Sequence, residues 1–238
     1  MGPHRPMARA KKVRFEAFGG FPKEAIAFLR ELEANNEREW FQANKGRYEE
    51  ALKAPFDAIV DDLEGPFGVG KRFRIYRDVR FSKDKTPYKT HGSAVFERKG
   101  LVFYVHLEKD HLFAATGMHM MARDQLKRFY AAVDDAKTGP TIMKLVEEAE
   151  AAGLEIGGEA LKTVARGYPK DHPRVRLLRH KGLTTSRRWE WKKRPPKWLG
   201  TPEAGERVVA AWREPAKLTE WLAKHVGPSE EGRRWVKR

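Results

Sequence analysis

The chain has no cysteine. That excludes a disulfide framework, a thiolate nucleophile and any cysteine metal site, and it fits a reducing compartment. No run of 18 apolar residues occurs among the 238, so no segment has the length and composition of a membrane-spanning helix. The first residues, MGPHRPMARAKK, are basic and lack the apolar stretch of an export signal, which sets a cytoplasmic expectation with no membrane partner. Also missing are a G-x-x-x-x-G-K-S/T loop, a G-x-G-x-x-G fingerprint and a G-x-S-x-G elbow. The familiar nucleotide-binding and hydrolase templates therefore have no footing. There is no H-x-x-x-H or H-E-x-x-H spacing and no internal repeat.

What is present is a folded composition with a heavily ionised surface, 40% hydrophobic and 34% charged. The length suits one large domain or one domain with an appendage. The net charge of +15 is not spread evenly. Residues 71–99 hold ten Lys/Arg against three Asp/Glu, and residues 170–198 hold eleven against two, so the rest of the chain carries −1. Two basic segments raise local anion concentration as a uniform surface would not.

Hydrophobic spacing predicts an α+β fold. Apolar residues recur at helical intervals from Pro22 to Asn35, from Trp40 to Ala54, and from Pro55 to Leu63, where Gly65-Pro66 follows. From Arg72 the period changes to two, with Ile75, Val79 and Phe81 alternating against Arg74, Tyr76, Asp78 and Arg80. Three further strands are expected at 93–98, 101–108 and 112–120, joined by short links that favour an antiparallel meander of about four strands over 72–120. Helices are expected at 123–135, at 141–152 with Gly153 as its cap, and at 173–180, with two more at 203–212 and 215–226. The expected organisation is a disordered basic tail at 1–14, one α+β domain at 15–199, and a C-terminal helical appendage with a frayed tail at 200–238.

Residues 74–91 read RIYRDVRFSKDKTPYKTH. On a strand, Arg74, Tyr76, Asp78 and Arg80 share one face, a donor array suited to an anion with several oxygens. Arg77 falls on the apolar face and needs a carboxylate or a bulge. The loop at 82–87 then places Lys85, Tyr88, Lys89 and His91 beside the array. An equally simple reading makes these residues solvated charges with Asp78 as their counterion. The segment R-x-x-R-D-x-R-F-x-x-x-K-x-x-Y, complete here in Arg74, Arg77, Asp78, Arg80, Phe81, Lys85 and Tyr88, resembles the hallmark of a bacterial and fungal family, domain of unknown function 2461. The likeness extends to Phe18–Pro22, to the N-x-x-x-W-F segment at Asn36–Phe41 and to G-Y-x-x-D-H-P-R at Gly167–Arg174. The resemblance implies no activity, cofactor or catalytic residue.

Other candidates are distributed. In strand 101–108, Leu101, Phe103, Val105 and Leu107 form the apolar face and leave Tyr104, His106 and Glu108 opposite. His119 shares a face with Ala115 and Gly117, so His106 and His119 could flank the arginines and move a proton, or could simply be half-buried and bonded to neighbours. A metal site from His91, His106, His119 or His172 with Asp78 is not expected, because a cluster of arginines repels a cation, and no cofactor is called for. Arg187, Arg188, Trp189, Trp191, Lys192, Lys193 and Arg194 interleave cations with indoles, which suits single-stranded nucleic acid or a loop anchored by its tryptophans. Arg174 and Arg179, beyond the helix start at Asp171, could extend an anion site. The expected function is binding of a phosphate-bearing ligand, nucleic acid or nucleotide, through an arginine-rich sheet face. The alternative is an enzyme on a small anion, with Arg/Lys as clamp and Tyr88, His91, His106 or His119 as proton-transfer group.

Overall fold

The computed structural model describes residues 13–231, so most of the expected N-terminal tail and the last seven residues lie outside the described part. Helix α1 (Lys23–Ala34) follows Pro22, whose missing N–H costs nothing at a helix start. Helices α2 (Arg38–Ala43) and α3 (Lys45–Arg47) run through a π-helical stretch, Tyr48–Lys53, into α4 (Ala54–Phe67). The sheet then begins with β1 (Val69–Arg72), β2 (Gly92–Arg98), β3 (Leu101–Leu107) and β4 (His111–Met118). After α5 (Arg123–Asp134) and α6 (Thr138–Ala151) come β5 (Glu155–Gly157), α7 (Val175–Leu178) and β6 (Leu183–Glu190). Helices α8 (Glu203–Arg213) and α9 (Ala216–His225) complete it. Gly153, at φ +77°, ends α6 as expected: its N–H reaches Glu150 O, and the Leu154 N–H reaches Ala149 O.

The sheet has six antiparallel strands in the order β1-β2-β3-β4-β6-β5, not the expected four. The difference lies at both ends. The expected strands were confined to 72–120, yet the region 154–199 supplies β5 and β6, and β6 pairs along the whole of β4 from His111↔Glu190 to Met118↔Leu183. At the other edge the ladder stops at Arg72, and residues 74–81 are not a strand.

Alternation within the strands gives the sheet two unlike faces. Ala94, Phe96, Phe103, Val105, Leu107, Leu112, Ala114 and Met118 face the helices and belong to one large core with α1, α4, α5, α6, α8 and α9. Trp212 of α8 is buried in it, edge-on to Phe67, Phe96 and Phe103, with its indole N–H donated to Tyr104 O at 3.1 Å. The C-terminal helices thus share the domain's core. The start of the expected frayed tail is also held: Gln125 donates to Gly227 O, and Ser229 and Glu230 donate to the Asp124 carboxylate. On the opposite face Val95 and Val102 form a small separate cluster with Val69, Phe73 and Tyr104. That face carries the site.

Candidate ligand-binding cavity

The register sets the open face. Ser93 pairs with His106, His106 with Phe113, and Phe113 with Arg188; one step along, Val95, Tyr104, Ala115 and Ser186 form the next ladder. Over these residues lies a cavity of about 550 Å³. Its aromatic walls are Phe73, Tyr104 and Phe113, and its polar groups come from Lys89, His91, Ser93, His106, His119, Thr184 and Ser186. The far wall is Gly157-Gly158. Only glycine fits at 158, where φ is +116° and a β-carbon would sit 2.2 Å from Gly182 O.

The near wall comes from the arginine-rich segment, in an arrangement the strand periodicity did not foresee. Residues 75–89 form a loop closed at its base by the Tyr76↔Tyr88 bridge and by hydrogen bonds from Arg77 N to Pro87 O and Lys89 N to Ile75 O, both 2.8 Å. Its charges satisfy one another. Arg80 makes a fork onto Asp78 (2.9 and 2.6 Å), Arg77 reaches Asp84 (2.5 Å) and Thr86 (2.6 Å), and the Lys85 ammonium donates to Val79 O (3.0 Å). Arg77 therefore has the carboxylate it required, from within the loop rather than from a packing helix. Arg80 holds the Asp78 carboxyl down at about 2, and Thr86 with Arg77 holds Asp84 there also. The expected shared face of Arg74, Tyr76, Asp78 and Arg80 does not exist, and Phe81, expected in the core, is 96% exposed at the loop tip. Ile75 is buried as expected.

Tyr88 is a core residue. It is 1% exposed and stacks on Phe41 at 4.0 Å, and burial raises its phenol above the ordinary value. Asn36 clasps its peptide, accepting from Tyr88 N at 3.1 Å and donating to Tyr88 O at 2.9 Å. Two of the family-like segments, N-x-x-x-W-F and the arginine motif, therefore meet in one contact. What the loop presents to the cavity is its base. The ammonium groups of Lys71 (5.6 Å) and Lys89 (5.3 Å) both lie over the Phe73 ring, and Lys89 donates to Arg74 O at 3.0 Å. Burial, with Arg74 and Lys71 adding repulsion, lowers the Lys89 ammonium from its usual value. Lys89, which lines the cavity, thus has Lys71 and Arg74 as cationic neighbours.

Burial, then the neighbouring Lys89 and Arg77, pushes His91 down to about 4, and burial with His91, His111 and Arg188 pushes His106 down to about 3. Both are neutral at pH 7. Beside them stands His111, which the sequence reading missed. Its Nδ1 lies 2.7 Å from Asp110 Oδ1, its Nε2 lies 2.9 Å from His106 Nε2, and Arg188 Nη1 approaches to 3.4 Å. The available signal was the short β3–β4 hairpin, which puts residues 106, 108 and 111 at one end of the open face.

The remaining candidates lie elsewhere. Arg174 donates to Val133 O and Asp134 O at the C-terminal end of α5, where backbone carbonyls attract a cation, and His172 reaches Asp134 at 3.0 Å. Arg179 donates to Leu161 O. Arg187 pairs with Glu214 at 2.9 Å on the helix side of the sheet. Trp191 is buried and donates to Lys109 O, and Trp189 packs edge-on to Trp198. Arg188 lies over Phe113 at 5.4 Å. Lys192 and Lys193 line an outer hollow with Arg30 and Asp110, and the Lys193 carbonyl accepts from Arg30. Lys192, Lys193 and Arg194 follow β6 after Trp191. No helix among the described residues is long and apolar enough to cross a membrane.

An antiparallel sheet with one helix-covered face and one hollowed basic face defines a class of α+β protein. More narrowly, residues 24–221 match the family described as conserved hypothetical protein, domain of unknown function 2461, and the chain belongs to that family. No curated protein matches it.

Proposed function

We propose that the protein binds a small anion with a flat apolar body in the cavity on the open sheet face. The observation that carries this is the cavity itself, about 550 Å³ with three aromatic side chains and the Lys89 ammonium in its walls. A hollow of this size, mostly apolar with a few convergent polar groups, is the usual form of a small-ligand site. Lys89 takes the anion, Phe73, Tyr104 and Phe113 take the body, and Ser93, Thr184 and Ser186 offer hydroxyls for orientation. A small molecule is favoured over a nucleic-acid strand because Trp189 and Trp191 are committed to packing and Arg187 to Glu214. Turnover of the bound anion is a second reading, favoured by two neutral imidazoles, His91 and His106, lining the same cavity.

The test is titration with the aromatic dye anilinonaphthalene sulfonate, displaced by nucleoside monophosphates and by aromatic carboxylates. Saturable binding at one site is expected. Lys89→Met should weaken the sulfonate about tenfold, the scale of one charge-assisted contact, while leaving a neutral anilinonaphthalene unchanged. Ala115→Leu, which fills the cavity floor, should block both. Binding indifferent to both substitutions would remove the proposal.

A further inference from the structure

We propose that His106, His111 and Glu108 form a binding site for a first-row divalent metal ion of the zinc type, at the edge of the sheet cavity. The inference is independent of the ligand proposed above. One donor atom from each of the three side chains lies within 4.8 Å of the other two, and His111 is buried. Two imidazoles and a carboxylate are a ligand set that zinc accepts while keeping positions open for water or substrate.

The hydrogen-bond bookkeeping supports an ion. Asp110 Oδ1 at 2.7 Å accepts the proton of His111 Nδ1, so His111 Nε2 presents a lone pair. Arg188 Nη1, a donor 3.4 Å from that nitrogen, agrees with this assignment. His106 Nε2 is aimed at the same lone pair from 2.9 Å. A hydrogen bond between the rings would satisfy the two nitrogens but gives no role to Glu108, whose Oε1 lies 3.8 Å from His106 Nε2. A cation between them uses all three groups. Zinc-to-nitrogen bonds of 2.0–2.1 Å in tetrahedral geometry set the nitrogens about 3.3 Å apart. The rings therefore need to separate by only a few tenths of an ångström.

The surroundings are those of a metal centre as well. A carboxylate on the outer nitrogen of a ligating histidine fixes its tautomer and raises its basicity, and Asp110 stands in that position on His111. His106 and His111 sit on paired strands and Glu108 in the short hairpin that joins them, a rigid mount. His106 lines the inner cavity, whereas Glu108 and His111 line an outer hollow with Arg188 and Glu190, so the ion would stand between two accessible spaces. With the ion bound, Arg188 would take as partner an anion at the open coordination positions. The helical H-x-x-x-H pattern is absent because a hairpin does the same work at H-x-E-x-x-H.

The test uses the full chain, stripped with a chelator and titrated with Zn²⁺ against a chromophoric competitor. One equivalent per chain is expected, and Co²⁺ should give the intense visible absorption of a four-coordinate site. His106→Ala and His111→Ala should each abolish stoichiometric binding, Asp110→Asn should weaken it about 10–100-fold, and His119→Ala should leave it unchanged. Because a histidine variant can misfold, imidazole ¹⁵N spectra of the wild type provide a second readout, with Zn²⁺ expected to shift Nε2 of His106 and His111. No stoichiometric Zn²⁺ uptake by the wild type, or shifts confined to other histidines, overturns the proposal. Loss of dye binding with zinc uptake intact would count against the cavity ligand alone.

Discussion

Asn36→Ala removes a side chain that ties the N-terminal helices to the backbone at the base of the arginine loop. Its amide makes two hydrogen bonds to the peptide of Tyr88, 3.1 Å from the N–H and 2.9 Å to the carbonyl, and Tyr88 is 1% exposed. Each bond contributes about 1 kcal/mol net, and each buried peptide group left unpaired costs about 1–3 kcal/mol. Asn36 itself is half-buried, so water can reach part of the gap. The expected loss is about 2–4 kcal/mol, which for a chain of this size lowers Tm by roughly 5–15 °C. Urea and thermal unfolding followed by circular dichroism would measure it. Because Lys89 hangs from the same bridge through its N–H bond to Ile75 O, affinity for the sulfonate dye should fall as well. Asn36→Asp gives a sharper comparison: the acceptor for the Tyr88 N–H survives, but a carboxylate oxygen then faces the Tyr88 carbonyl. At neutral pH that variant should be no better than alanine, and it should recover as the new carboxyl protonates near pH 4. A loss below about 0.5 kcal/mol for Asn36→Ala, within the range of an ordinary surface change, would show that the clasp holds nothing.

Two other outcomes can be measured directly. His91 is held neutral by burial down to about pH 4, whereas an unfolded imidazole takes its proton near pH 6.5. Below about 6.5 the unfolded chain therefore binds more protons, and in metal-free protein stability should decline as pH falls toward about 4 and then level off for this group; His91→Gln should flatten that slope in urea titrations at several pH values. Asp78→Asn should leave dye affinity and Tm at wild-type values, because Asp78 makes a surface fork with Arg80 and orients neither Arg77 nor Lys89; a marked fall in affinity would restore Asp78 as an organiser of the anion site.

The meander was legible because its signals are local. Residues 103–107 alternate apolar with polar, and the expected strands at 101–108 and 93–98 differ from β3 and β2 by one residue each. Segment 74–81 alternates just as well, yet side chains decide its shape: Asp78 and Asp84 accept from backbone N–H groups two residues on, at Arg80 and Thr86, and fold the chain into turns that periodicity cannot register. Strand β6 was obscured for the opposite reason. Its Thr184, Ser186 and Arg188 face a hollow rather than a core, so LTTSRRWE lacks the apolar alternation of a strand, and its pairing with β4 spans some seventy residues of sequence. Among the candidate site residues, Lys89, His91, His106 and His119 do line the cavity. Arg77, Arg80 and Lys85 do not, because their donors are spent within the loop, and Arg74 is not among the lining residues.

The position of β6 between β4 and β5 has a consequence for how the protein is made. During synthesis the β1–β4 meander and its helices can assemble while residues 183–190 are still to come, which leaves β4 as an open edge carrying His111 and Phe113 beside unpaired peptide groups. Thr184 and Ser186 reach the cavity only when that late strand docks, so the hollow cannot exist in any nascent chain that stops short of it. A fragment ending before Leu183 should accordingly be prone to join edge to edge with its own copies, and the slowest step of refolding should be the docking of β6, a long-range pairing that closes the sheet and completes the cavity floor together.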